Sequence, residues 1–146
     1  ISKHEYCRAN ELTAVDDYFV RVYSPLMIVC EKLRAICQQM PEYWQNLGRS
    51  YARPRTADFY DIFMLGVSEL SDKELEILRE VFAAKQVPLS LLRQIRSDET
   101  RAYHAQGYES LRDTVSGELK PFDFYFDHVF TLAADISDKL EALGIE

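Results

Sequence analysis

The residues able to do chemistry are scattered along the chain. The three histidines, His4, His104 and His128, stand at no paired helical spacing, and Cys7, Cys30 and Cys37 form no CxxC pair. A zinc site needs three or four convergent Cys, His or carboxylate ligands, and a di-iron bundle needs Glu-x-x-His twice. Neither pattern is present, so no metal and no cofactor is expected. A nucleophilic Ser or Cys would need a histidine and an orienting acid. No G-x-S-x-G occurs, and the five glycines stand singly, which cannot build a phosphate-cradling loop. On these grounds the sequence reads as that of a protein that is not an enzyme.

Three features remain as candidates for binding. The segment Arg49-Ser-Tyr-Ala-Arg-Pro-Arg55 concentrates positive charge. Arg49, Arg53 and Arg55, with Tyr51, can grip a carboxylate, a phosphate or an acidic partner loop, and Pro54 would stiffen the presentation. The competing reading is a solvated loop whose arginines pair with acidic residues of the same molecule. In Phe122-Asp-Phe-Tyr-Phe126, helical spacing turns Phe122 and Phe126 inward and leaves Phe124 beside Asp127, His128 and Thr131. A large aromatic there is a candidate interface anchor, unless the helix is buried on both sides. His104 lies on an apolar stripe with Tyr108, Leu111, Val115 and Leu119. It is either a ligand-pocket residue or general base, or a histidine hydrogen-bonded within a bundle. The second is the simpler reading, since no catalytic partner stands near it in sequence.

The elements that must position these residues are helices. Val15, Phe19, Val22, Leu26, Val29, Leu33, Ile36 and Met40 alternate in steps of four and three, a seam wide enough to pack on several neighbours. Pro25 interrupts it, with Ser24 as a restart cap, and Pro41 ends it. Further helices are expected after Thr56, after the Ser71/Glu74 capping box, over Leu89–Ile95, after Ser97 as far as Leu119, and from Phe122 to about Leu143. No stretch reads convincingly as a strand. The expected fold is all-α: an antiparallel bundle of about five to seven helices around a long, Pro-interrupted central helix.

A chain of 146 residues with 47% apolar and 28% charged residues has the composition and the core of one ordinary globular domain. Residues 1–146 are read as that domain, with 1–12 a mobile N-terminal segment. Ile1 in place of Met fits a processed chain or a piece of a longer one. No run approaches the ~20 apolar residues of a membrane span; Tyr18–Cys30 is broken by Arg21, Ser24 and Pro25. Cys30 and Cys37 lie two helical turns apart, beyond disulfide reach, so reduced thiols and a cytoplasmic location are expected. Charge is uneven: residues 1–56 carry a net +2 and residues 57–146 a net −9. The acidic part suits a basic protein partner and makes nucleic acid an unfavoured one.

Leu70-Ser-Asp-Lys-Glu-Leu-Glu-Ile-Leu-Arg79 resembles the opening of a LuxR-type helix-turn-helix, and Ser97-Asp-Glu-Thr-Arg-Ala-Tyr-His104 is loosely similar to the start of that family's recognition helix. The resemblance implies a DNA-binding regulator using residues 71–112. Two departures stand against it. Val87-Pro88-Leu89 replaces the usual polar turn, and residues 70–112 balance seven basic against seven acidic side chains, which is poor for meeting phosphates. The expected function is therefore a non-catalytic protein–protein interaction or regulatory module of adaptor, inhibitor or immunity type, with self-association compatible. The helix-turn-helix regulator is one alternative, and a small-ligand sensor with an inter-helical pocket near His104 is the other.

Overall fold

Ser24 and Pro25 decide where the first helix starts. Proline has no N–H to give, and its fixed φ suits a first helical turn. Ser24, itself extended, accepts the Met27 N–H on its hydroxyl at 3.1 Å, so α1 runs Pro25–Cys37. In the computed structural model, which describes residues 11–15, 18–22, 24–47 and 52–145, the chain ahead of that cap is extended. Glu11–Val15 (β1) and Tyr18–Val22 (β2) pair antiparallel, with Val15 opposite Tyr18 and Glu11 opposite Val22.

The seam expected to run from Val15 to Met40 as one Pro-interrupted helix is thus a hairpin followed by a helix, and the expectation of no strand is corrected. The physical reason is side-chain type. Val15, Tyr18, Phe19, Val20 and Val22 are β-branched or aromatic, which suits a pleated strand and lowers helix propensity. Of the expected mobile segment 1–12, all but Glu11 and Leu12 lies outside the described residues, and those two open β1.

From Pro25 onward the described residues form an all-helical bundle. Pro41–Trp44 (α2) continues as a 3-10 turn, Gln45–Leu47. Thr56–Met64 is α3 and Asp72–Ala84 is α4. A 3-10 segment, Leu89–Arg96, leads into Asp98–Ala105 (α5), Tyr108–Thr114 (α6) and Phe122–Ala142 (α7). The capping box stands where its spacing places it: Ser71 Oγ accepts the Glu74 N–H, and the Glu74 carboxylate accepts the Ser71 N–H at 2.9 Å. The helix expected from Ser97 to Leu119 is instead two, broken at Gly107.

One apolar cluster joins α1, α3, α4, the 3-10 segment and α7, with Leu33, Phe59, Leu75, Phe82, Leu92 and Phe126 fully buried. α1 packs on α4 and on α3, and α7 on α3 and the 3-10 segment. Cys30 and Cys37 belong to this cluster as free thiols. Burial, aided by Glu74 and Glu31, pushes Cys30 up to about 12, and burial raises Cys37 as well, so both are packing residues. Among the described residues no helix is long and apolar enough to cross a membrane.

Candidate functional site

The packing of α1 against α3 brings together charges far apart in sequence. Lys32, on α1, sets its Nζ 3.1 Å from Asp58 Oδ1 and 3.1 Å from Asp61 Oδ2, both on α3. Arg55, at the N-terminal edge of α3, donates from Nε to the other oxygen of Asp58 at 2.6 Å. Asp58 is therefore held by a cation on each oxygen. It is buried and stands in the first turn of α3, where the helix dipole favours a negative charge. Asp61, one turn on, remains 43% exposed, so solvent and solutes reach it. Burial pulls the Lys32 ammonium down, but Asp58 and Asp61 together outweigh that pull and hold it above the usual lysine value. The cluster is thus a fixed cation between two carboxylates, one sealed and one open.

The loop that presents Arg55 is pinned from two sides. The Arg53 N–H donates to Gln39 Oε1 at 2.8 Å, and the Arg55 N–H donates to His104 Nδ1 at 2.8 Å. Thr56 Oγ1 donates to the carbonyl of the same histidine. Burial lowers His104 to about 4, so at neutral pH the ring is uncharged. An acceptor Nδ1 then leaves the proton on Nε2. Phe59 packs against this ring at 5.1 Å between centroids. Among the described residues no group of three or more His, Cys, Asp or Glu side chains is arranged to hold a metal ion.

The residues singled out in the sequence are placed unevenly. Arg49 and Tyr51 lie outside the described residues. Arg53 is exposed, whereas the Arg55 guanidinium is turned onto Asp58. His104 is buried and joined to Arg55. Phe124 is 40% exposed and stands well apart in role, packed edge-on against Phe63 with the Lys120 ammonium over its ring. Lys32, Asp58 and Asp61 were missed, because charges at helical spacing read as a solvated face. One signal was there: Asp58 lies four residues before the core residue Ile62 and beside Phe59, on the side of the helix that turns inward.

A family model described as "Nucleotidyl transferase AbiEii toxin, Type IV TA system" matches residues 3–128, nearly the whole chain and every residue of this cluster. The chain belongs to the AbiEii family. No curated protein and no solved structure matches it. Membership of a family of transferase toxins overturns two expectations, that of a non-catalytic adaptor, inhibitor or immunity module and that of a chain that is not an enzyme. Neither the helix-turn-helix regulator nor the small-ligand sensor fits this AbiEii description. Physical reasons accompany the correction. Residues Leu89–Arg96, which follow the would-be turn at Val87-Pro88-Leu89, form a 3-10 segment with Leu91, Leu92 and Ile95 buried. Arg101, the basic residue of the would-be reading helix, pairs with Asp123 at 3.0 Å and stacks on Phe126. The charges of the Lys32 cluster come from two helices that are far apart in sequence, and such an arrangement leaves no local motif.

Proposed function

We propose that this AbiEii chain carries part of a nucleotidyl-transfer site, in which Lys32 and Arg55 meet the phosphates of a nucleoside triphosphate. The observation that carries the reading is Lys32 held between Asp58 and Asp61, within the segment that matches the transferase family. In nucleotidyl transfer an acceptor hydroxyl oxygen attacks the α-phosphorus. The bond from that phosphorus to the bridging oxygen breaks, and pyrophosphate leaves with the negative charge. A cation fixed before the reaction stabilises that charge without reorganising. Lys32 supplies a point charge and Arg55 a planar fork. Asp58 keeps both in place. Asp61, the open carboxylate, is the proton acceptor for the attacking hydroxyl.

A toxin of a toxin–antitoxin system pairs with an antitoxin, and the net −9 of residues 57–146 favours a basic surface on the protein that meets this chain. A cytoplasmic location accords with the unpaired, buried Cys30 and Cys37. Arg49, Tyr51, Arg53 and Phe124 remain candidates for that contact.

The test is pyrophosphate release from nucleoside triphosphates, together with growth of cells expressing the chain. Lys32→Met should lower release by about a hundredfold or more and relieve growth inhibition, with Lys32→Arg in between. Release within twofold of the parent in Lys32→Met, with a folded protein by circular dichroism, would sink the assignment.

A further inference from the structure

A cavity of about 190 Å³ lies against the pinned loop, walled by Met40, Pro41, Trp44, Thr100, Tyr103 and His104, with Gln39, Ala52 and the exposed Glu99 at its edge. Two of the residues around it hold the loop: Gln39 accepts the Arg53 N–H and His104 accepts the Arg55 N–H. Whatever fills the cavity therefore touches the side chains that set where Arg55, and through it Asp58, stand.

Its chemistry is that of a planar heterocycle's binding slot. Trp44, Tyr103 and His104 bring three aromatic rings to its lining, and His104 is neutral; its charged lining residue, Glu99, is exposed and can accept a hydrogen bond from a base's ring N–H or exocyclic amine. The indole Nε1 of Trp44 is buried with no hydrogen-bond partner among the described residues; it is closed to solvent, so what Trp44 offers the cavity is the apolar face of its ring. Size narrows the occupant further. Pockets for whole drug-sized ligands run to about 300–1,000 Å³, so this one has room for a single ring system with the sugar and phosphates outside.

We infer that this cavity takes the base of the nucleotide whose phosphates meet Lys32 and Arg55, with Trp44 and Tyr103 as its stacking walls. The inference rests on the phosphate assignment above but is separable from it. His104 then has two faces in use, its ring toward the base and its Nδ1 toward Arg55. Occupation of the cavity is thereby coupled to the position of the cation that receives the phosphates.

Trp44 is the sole tryptophan of the 146 residues, so its fluorescence reports on this cavity alone. The chain is titrated with each of the four common nucleoside triphosphates, with the matching nucleosides, and with inorganic tripolyphosphate, with calorimetry in parallel. At least one triphosphate should change Trp44 emission saturably and its nucleoside should do so more weakly. Tripolyphosphate should bind without that change. Tyr103→Ala, or Ala52→Phe which fills the cavity from its rim, should weaken triphosphate binding roughly tenfold to a hundredfold while leaving tripolyphosphate affinity unaltered. Equal binding of triphosphate and tripolyphosphate, unmoved by both variants, overturns the base pocket and leaves the phosphate reading standing. Nucleoside binding that persists when tripolyphosphate does not bind upholds the pocket and removes the phosphate reading instead. Failure of both to bind overturns both.

Discussion

His104 accepts a backbone N–H on Nδ1 and a threonine hydroxyl on its carbonyl, and its burial has a consequence for acid stability. Burial lowers its pKa from 6.5 to about 4; Asp58 opposes the shift and Arg55 adds to it. Between those two values the unfolded chain binds a proton that the folded chain does not, so stability rises with pH through that window. The contribution is complete above about pH 6.5, falls away as pH drops toward about 4, and is flat below, a difference on the order of 3 kcal/mol. Urea midpoints across the window should climb with pH in the parent and lose that slope in His104→Gln; equal slopes would assign the titration to another group. The position of His104 on an apolar stripe was legible in the sequence. Its partner was not, because Arg55 lies 49 residues away and no local spacing announces it. The same holds for Lys32 and Asp58, which are 26 residues apart and meet only because α1 lies on α3.

Elements were legible where a cap or a proline fixes an end, and misread where a spacing fits two periods. Ser71/Glu74, Ser97 and Pro121–Phe122 mark real boundaries of α4, α5 and α7. Steps of four and three through Val15, Phe19 and Val22 suggested a helix, although Tyr18, Val20 and Val22 also step by two, the strand period. The break at Gly107 has a tertiary cause that no local pattern holds. A Cβ there would collide with Thr56 Oγ1 and come within 3.1 Å of its Cβ, so α6 approaches the start of α3 only because this position is glycine. Its φ of −89° is open to any residue, so collision and not backbone strain is what a side chain would cause. Gly107→Ala should destabilise by about 1–3 kcal/mol and lower transferase activity disproportionately, since Thr56 adjoins Arg55. Ser71→Ala removes the cap of α4, a helix that supplies none of the Lys32 cluster, and should cost about 1 kcal/mol with activity unchanged. The pair is compared by thermal denaturation and pyrophosphate release at a temperature where both variants are folded; equal losses of activity would show that the collision does not reach the site.

At the scale of the molecule, site and core are one object. Phe59 belongs to α3, between the turn that holds Asp58 and the helix face that packs on α7, and its ring touches His104, Phe122 and Phe126. It is fully buried. Truncating such a ring costs about 3–5 kcal/mol, a large share of the 5–15 kcal/mol or so that a domain of this size commands. Phe59→Ala should therefore lose stability and activity together, whereas Lys32→Met should lose activity far more than stability, because Arg55 stays on Asp58. Trp44 offers a second probe of the same unity. It stands outside the central apolar cluster, on α2, and reaches that cluster through its neighbours Met40 and Tyr43. If residues 25–145 melt as the single domain that composition suggests, Trp44 fluorescence and helical circular dichroism should give coincident urea transitions in the parent and in Phe59→Ala, the variant shifted as a whole. A Trp44 transition that precedes the loss of helix would separate the cavity wall from the bundle. The base pocket would then have to be formed by its ligand, and binding would be weaker by the free energy of ordering α2 against α5.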